Sequence, residues 1–160
     1  MKNEVLEEIS IANEWRDGEF AKFKVNPDSV EDSLWSRMCV PMIYAHWEGF
    51  TVSALKILIN HLNELNLTPN QLSTKLVVVS LSDAYKPLSG KQSFIQRVEF
   101  TDKFNKLLCS SVKFNKKINT KSNLKSNVLE EICLMYDFNY ENFSEVNSEI
   151  DRLVNIRNRD

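Results

Sequence analysis

Apolar residues return every three or four positions through most of the chain, and the phase of that return defines six helical blocks. Val5, Ile9, Ala12, Arg16, Phe20 and Phe23 share one face of a helix predicted over about 2–24. Val25-Asn26-Pro27-Asp28 breaks that pattern, and Ser29 followed by Asp32 is a weak helix start. The second block, about 30–63, is the longest and most apolar. Leu34, Met38, Pro41, Ala45, Glu48, Val52, Leu55, Ile59 and Leu62 form a predicted buried stripe, widened by Ile43, Trp47, Phe50 and Ala54. A helix with so broad an apolar face belongs at the centre of a bundle. Pro41 has no backbone donor, so a kink or break is expected just before it.

Thr68-Pro69-Asn70-Gln71 combines a capping threonine, a first-turn proline and a capping-box glutamine. It predicts a third helix running to about Tyr85, with Leu72, Leu76 and Val79 inward. Val77-Val78-Val79 alone suits a strand, but the cap and the length favour helix. A loop is expected over 87–90, then a fourth helix over about 92–111 with Phe100, Phe104 and Leu107 on one side. The stretch 113–125 carries Lys113, Lys116, Lys117, Lys121 and Lys125 and reads as a solvated loop, with Phe114 available for stacking. A fifth helix is predicted over about 124–136, with Leu124, Val128, Ile132 and Met135 inward, and a turn over 137–142. The sixth starts near Ser144 and puts Val146, Ile150, Leu153 and Arg157 on one face. No cap or proline stop follows, so this helix is expected to be still running at Asp160, as if the chain were cut within it. With no repeat and no linker, the prediction is one all-α domain over 1–160, a bundle of five to six helices around a long central one.

Composition sharpens this reading. The 160 residues suffice for one core, and only 3 Gly and 4 Pro leave few turns, which disfavours a β-sandwich. Lys+Arg is 20 against Asp+Glu 22, a net charge of −2, so any RNA contact must be a local patch. Cys39, Cys109 and Cys133 are odd in number and far apart, which fits neither a zinc site nor a disulfide framework. They are expected to be free thiols packed as small apolar residues in a reducing cytoplasm. The N-terminus is amphipathic, without a signal peptide, and no stretch is long enough to span a bilayer. No His-Glu-x-x-His, Asp-x-Asp, Cys-x-x-Cys or Gly-rich phosphate loop occurs, so neither metal nor cofactor is expected.

Arg16, Glu48 and Arg157 occupy positions where their stripes call for apolar residues. Burying an unpaired charge costs several kcal/mol, so each should be paired or should line a cleft. Arg16 reads as an ion pair, or as a stem that packs while its head reaches water. Glu48 is either a partner for an arginine or a site residue. Arg157, followed by Asn158, Arg159 and Asp160, is either a solvated helix end or part of a site. His46 lies two residues from Glu48 and so points to a different side of the helix; His61 is expected at the surface.

Four stretches together resemble a bacterial subfamily of HEPN domains. They are Trp15-Arg16, Tyr44-Ala45-His46-Trp47-Glu48-Gly49-Phe50, Asn119-Thr120-Lys121-Ser122-Asn123-Leu124, and Ile150-Asp151-Arg152-Leu153-Val154-Asn155-Ile156-Arg157-Asn158. Each is weak alone; their order and spacing cover nearly the whole chain. The resemblance implies a dimerising helical bundle that cleaves RNA without metal, as a toxin or anti-phage effector. Its signature is an Arg, commonly followed by Asn, with about four to six residues before a His. Arg157-Asn158 matches the first half, but only Arg159 and Asp160 follow, so the natural protein is expected to continue and carry the His. The resemblance makes Arg157, Asn158 and Glu48 the catalytic candidates. Lys116, Lys117 and Arg16 are the candidates for RNA binding. It implies an RNA substrate, a homodimer, an antitoxin or defence-system protein as a further partner, and no membrane association. The competing reading is a non-catalytic helical module for dimerisation or protein binding; a helical adaptor unrelated to HEPN is a third. A His encoded just after Asp160 favours the nuclease, and a stop codon there favours the binding module.

Overall fold

The computed structural model describes residues 2–25, 31–81 and 92–158. Among them there are six α-helices and no strand: α1 Lys2–Val25, α2 Asp32–Glu64, α3 Thr74–Leu81, α4 Phe94–Leu108, α5 Ser126–Met135 and α6 Asn147–Arg157. The predicted all-α bundle with a long central helix is the observed one. α1 and α2 run antiparallel: His61 bonds Glu8 at 2.6 Å near one end, and the Phe23 and Trp35 rings lie 4.7 Å apart near the other. The core gathers where the C-terminal half of α2 meets α5, α6 and the stretch before α5. Ile59, Leu124 and Val154 are fully buried there, with Val112, Phe114, Ile132 and Ile150 around them.

Several sequence expectations need correction. α2 runs unbroken through Pro41, which is exposed. Long helical runs on both sides outweigh the one missing bond. Only the C-terminal half of the α2 stripe is buried. Leu34, Met38, Pro41 and Ala45 are exposed, as are Ile43 and Phe50 of the second row, because α1 is the main neighbour along that end. The capping box at Thr68 and Gln71 forms, yet it closes only a 3-10 turn, Pro69–Gln71. Leu72 is extended, and α3 begins afresh at Thr74. Leu72, Leu76 and Val79 do pack against the core. The predicted end near Tyr85 and the loop over 87–90 lie outside the described residues.

α4 starts from a capping box that periodicity alone did not reveal: Gln96 N donates to Ser93 Oγ at 3.2 Å and Ser93 N to Gln96 Oε1 at 2.9 Å. Leu124 is buried, but from the loop before α5, while Met135 is exposed. A 3-10 segment, Tyr140–Val146, precedes α6, and Val146 is exposed. α6 is described as far as Arg157, with the Asn158 N–H on Val154 O at 3.1 Å, and the expectation that it runs on to Asp160 lies outside the described residues. All three cysteines are free, but only Cys133 is buried; Cys109 is exposed at the end of α4.

The lysine-rich stretch is a loop, as expected, but an anchored one. Phe114 N donates to Asn63 Oδ1 at 2.7 Å, Asn63 Nδ2 returns a bond to Phe114 O at 3.1 Å, and Val112 N bonds Leu67 O at 2.7 Å. Phe114 is therefore a core residue at 5% exposure, with no face left for stacking a base. No helix among the described residues is long and apolar enough to cross a membrane.

Candidate functional site

Tyr44 and Glu48 stand one turn apart on α2, with Trp47 between them, and all three hold the segment 119–124. The Glu48 carboxylate accepts a hydrogen bond from the Thr120 hydroxyl. Trp47 Nε1 donates to Leu124 O at 3.2 Å, and Leu124 N donates to Tyr44 Oη at 2.9 Å. Between these anchors the chain turns through Lys121 and Ser122 with φ of 55° and 56°. That left-handed turn, disfavoured for side chains with a Cβ, is braced by Lys121 N donating to Asn119 Oδ1 at 2.9 Å.

The turn presents two acceptors to the end of α6. Arg157 Nη2 donates to Ser122 O at 3.0 Å and to Asn123 Oδ1 at 2.6 Å. Asn158 Oδ1 accepts from Arg157 Nε at 3.2 Å and Nη2 at 3.0 Å, and Asn158 Nδ2 donates to Asn123 Oδ1 at 3.1 Å. Beneath them the guanidinium carbon lies 3.8 Å from the Tyr44 ring centroid, within cation–π range. Five N–H groups radiate from a guanidinium. Here the two on Nη1 have no protein partner among the described residues. Lys125 Nζ bonds Asn155 Oδ1 at 2.7 Å, and Asp151 accepts from Ser126 N at 2.9 Å and Ser126 Oγ at 2.8 Å. These bonds lock α6 to the start of α5, so Arg157 is held from both flanks.

Arg157, Asn158 and Glu48 are thus brought to one loop. Glu48 reaches the guanidinium only through that loop, by way of Thr120, and not by direct ion pairing. Lys116 and Lys117 are exposed on the segment leading into it. Arg16 lies elsewhere. Its Nε donates to Asn13 Oδ1 at 2.9 Å, and its Nη1 stands 3.2 Å from His46 Nδ1. His46 is buried among Trp15 and Phe20, with Nε2 3.1 Å from Glu19. Residues two apart on a helix diverge by about 200°, so Arg16 and His46 sit across α2 from Glu48 and Tyr44. His61 is half-buried and bonded to Glu8.

The sequence matches the RiboL-PSP-HEPN family over residues 11–159. This chain is a HEPN domain of that family. Neither a curated protein nor a solved structure matches it. Among the described residues of this HEPN domain, no group of three or more His, Cys, Asp or Glu is arranged to hold a metal ion. Sequence reasoning singled out Arg157, Asn158 and Glu48 but gave no role to Tyr44, Thr120 or Asn123. For Tyr44 a signal existed: it is an aromatic exactly one turn before an acid on an apolar helix, the spacing that shares a face. Asn123 has no such periodic signal, because it acts from a loop.

Proposed function

We propose that this HEPN domain supplies the phosphate-gripping group of a metal-independent RNA endonuclease, acting as a toxin or anti-phage effector. The observation that carries the reading is a guanidinium fixed on four partners, Ser122, Asn123, Asn158 and Tyr44, with no partner for either Nη1 hydrogen among the described residues. In RNA cleavage the ribose 2′-oxygen loses its proton and attacks the adjacent phosphorus. The bond to the 5′-oxygen breaks, that oxygen takes a proton, and a 2′,3′-cyclic phosphate remains. Negative charge grows on the non-bridging oxygens in between, where a forked, preorganised cation stabilises it most. Arg157 fills that role, and the second N–H of Asn158 Nδ2 adds a neutral donor. Proton transfer in such a reaction calls for a histidine-type acid–base group; His46 and His61 are engaged with Glu19 and Glu8 of α1.

Glu48 acts as a positioning residue by holding Thr120 and so the turn that orients the arginine. Lys116 and Lys117 extend the positive surface for the RNA backbone. Arg16, bonded to Asn13 and His46 across α2, stands apart from that surface. Symmetric pairing that brings two copies of Arg157 to one cleft completes the reading. Incubation of the natural protein with tRNA and ribosomal RNA in the presence of a chelator is expected to yield fragments ending in cyclic phosphate. Arg157→Ala is expected to abolish them; undiminished cleavage by that variant contradicts the assignment.

A second reading, the non-catalytic module, draws on the same contacts: Arg157 also ties α6 to the loop before α5. If that is its whole role, Arg157→Ala lowers stability and leaves RNA binding unchanged.

A further inference from the structure

Opposite the Arg157 site, α1 and α2 leave a long groove between them. One stretch encloses about 880 Å³ and is lined entirely by these two helices. Leu6 and Ile9 continue it into an apolar recess of about 370 Å³ that reaches Leu65 and Phe138. From Lys2 to Phe20 the groove follows α1 for about 27 Å, five helical turns. Apolar side chains along it remain open to solvent: Leu6 is 55% exposed, Ile11 65%, Ile43 39% and Phe50 41%. α1 packs chiefly on α2, and among the described residues no third helix covers this face.

We infer that this groove is a docking surface for a basic amphipathic helix of a partner protein. Charge selects the occupant. Between Lys2 and Phe20, α1 carries six acids and two bases. Glu14 and Asp17 stand at the groove itself, while the cation beside them, Arg16, is already bound by Asn13 and His46 and stacked on Trp15. An apolar helix face with lysine or arginine along its flanks meets both the floor and the rim. Nucleic acid is repelled by that rim. A second copy in a symmetric pair would set this acidic helix against its own duplicate. The inference is independent of RNA cleavage, since Leu6, Ile11, Glu14 and Asp17 stand apart from the Arg157 cluster, and only Trp47 touches both the groove and the loop.

The test uses two synthetic peptides of about five turns, free of tryptophan, with the same leucine face and either lysine or glutamate flanks. Binding is followed by the fluorescence of the protein's own tryptophans, since Trp47 lines the groove. The lysine peptide is expected to bind saturably and at least tenfold more tightly than the glutamate peptide. Ile11→Asp, at a largely exposed position, is expected to weaken it tenfold with an unchanged circular dichroism spectrum. Glu14→Lys combined with Asp17→Lys leaves four acids and four bases on this stretch and is expected to abolish the preference. Equal affinity for the two peptides, or no saturable binding, overturns the inference. So does a self-association, seen by sedimentation, that Ile11→Asp abolishes, because the groove is then covered by a second copy.

Discussion

The Arg157 guanidinium lies 3.8 Å from the centre of the Tyr44 ring, and the hydroxyl of that same tyrosine accepts the Leu124 amide at 2.9 Å. One side chain on α2 therefore supports both the arginine at the end of α6 and the loop that gives the arginine its acceptors. The site is a by-product of core packing: Tyr44 and Leu124 are buried at 4% and 0% exposure, and the polar groups they carry must find partners.

Tyr44→Phe separates these two roles. It keeps the ring under the guanidinium and strands the buried Leu124 amide, which costs about 1–3 kcal/mol. Tyr44→Leu additionally removes the cation–π contact, a further loss of about 0.5–1 kcal/mol at a partly exposed site. Urea unfolding of the two variants measures both steps; equal stability of Tyr44→Phe and the parent means the hydroxyl does not hold the loop.

Asn63 clamps the loop at its other end with two bonds to the Phe114 backbone. Asn63→Ala leaves the amide of a buried residue without its acceptor, and a loss of about 1–3 kcal/mol is expected. The Phe114 amide should also lose protection against hydrogen exchange. Retained protection would show that the surrounding core alone positions this segment.

Gly49 faces Arg16: a Cβ there would lie 2.9 Å from Nη2. The neighbour is the far end of a flexible side chain, so Gly49→Ala is expected to displace the guanidinium from His46 without breaking the helix pair. Alanine's helix preference of about 1 kcal/mol over glycine offsets the disturbance. The expected net change in thermal stability is within about 1 kcal/mol, with a clear shift of the His46 ring signals by NMR. A much larger loss would mean that α1 is held to α2 mainly through Arg16.

The helices were legible because burial writes a 3.6-residue period into α1, α5 and α6 that survives without knowledge of the fold. The half-exposed stripe of α2 was not, since Leu34 and Met38 repeat like core residues although no described neighbour encloses them. Arg157 and Glu48 stood out as charges on apolar faces, and they do converge on one loop. What the pattern could not show is the means. Thr120, Ser122 and Asn123 act from a turn whose left-handed backbone leaves no periodic trace, and this loop stands between Glu48 and Arg157.

Burial raises the ionisation of the Tyr136 and Tyr140 hydroxyls above their ordinary value of 10.0 and that of the Cys133 thiol above 9.0. These groups stay neutral in the folded chain at pH values where they ionise in the unfolded one. Their contribution is therefore complete below about pH 9 and is lost as pH rises toward their folded values. Unfolding free energy is expected to fall between about pH 9 and about pH 11, and Tyr136→Phe should make that fall shallower. A flat profile across this window contradicts the burial argument.

The central claim is that Arg157 is held by protein acceptors yet keeps donors for a phosphate. The most direct test is the salt dependence of single-stranded RNA binding, compared for the parent chain and Arg157→Ala at a temperature where circular dichroism shows both folded. Each phosphate contact contributes about −0.7 to the slope of log K against log salt. Loss of one such contact, a slope shallower by about 0.7 together with weaker binding across RNA sequences, is the predicted result. Identical slopes and affinities would show that the guanidinium serves the fold alone and meets no phosphate.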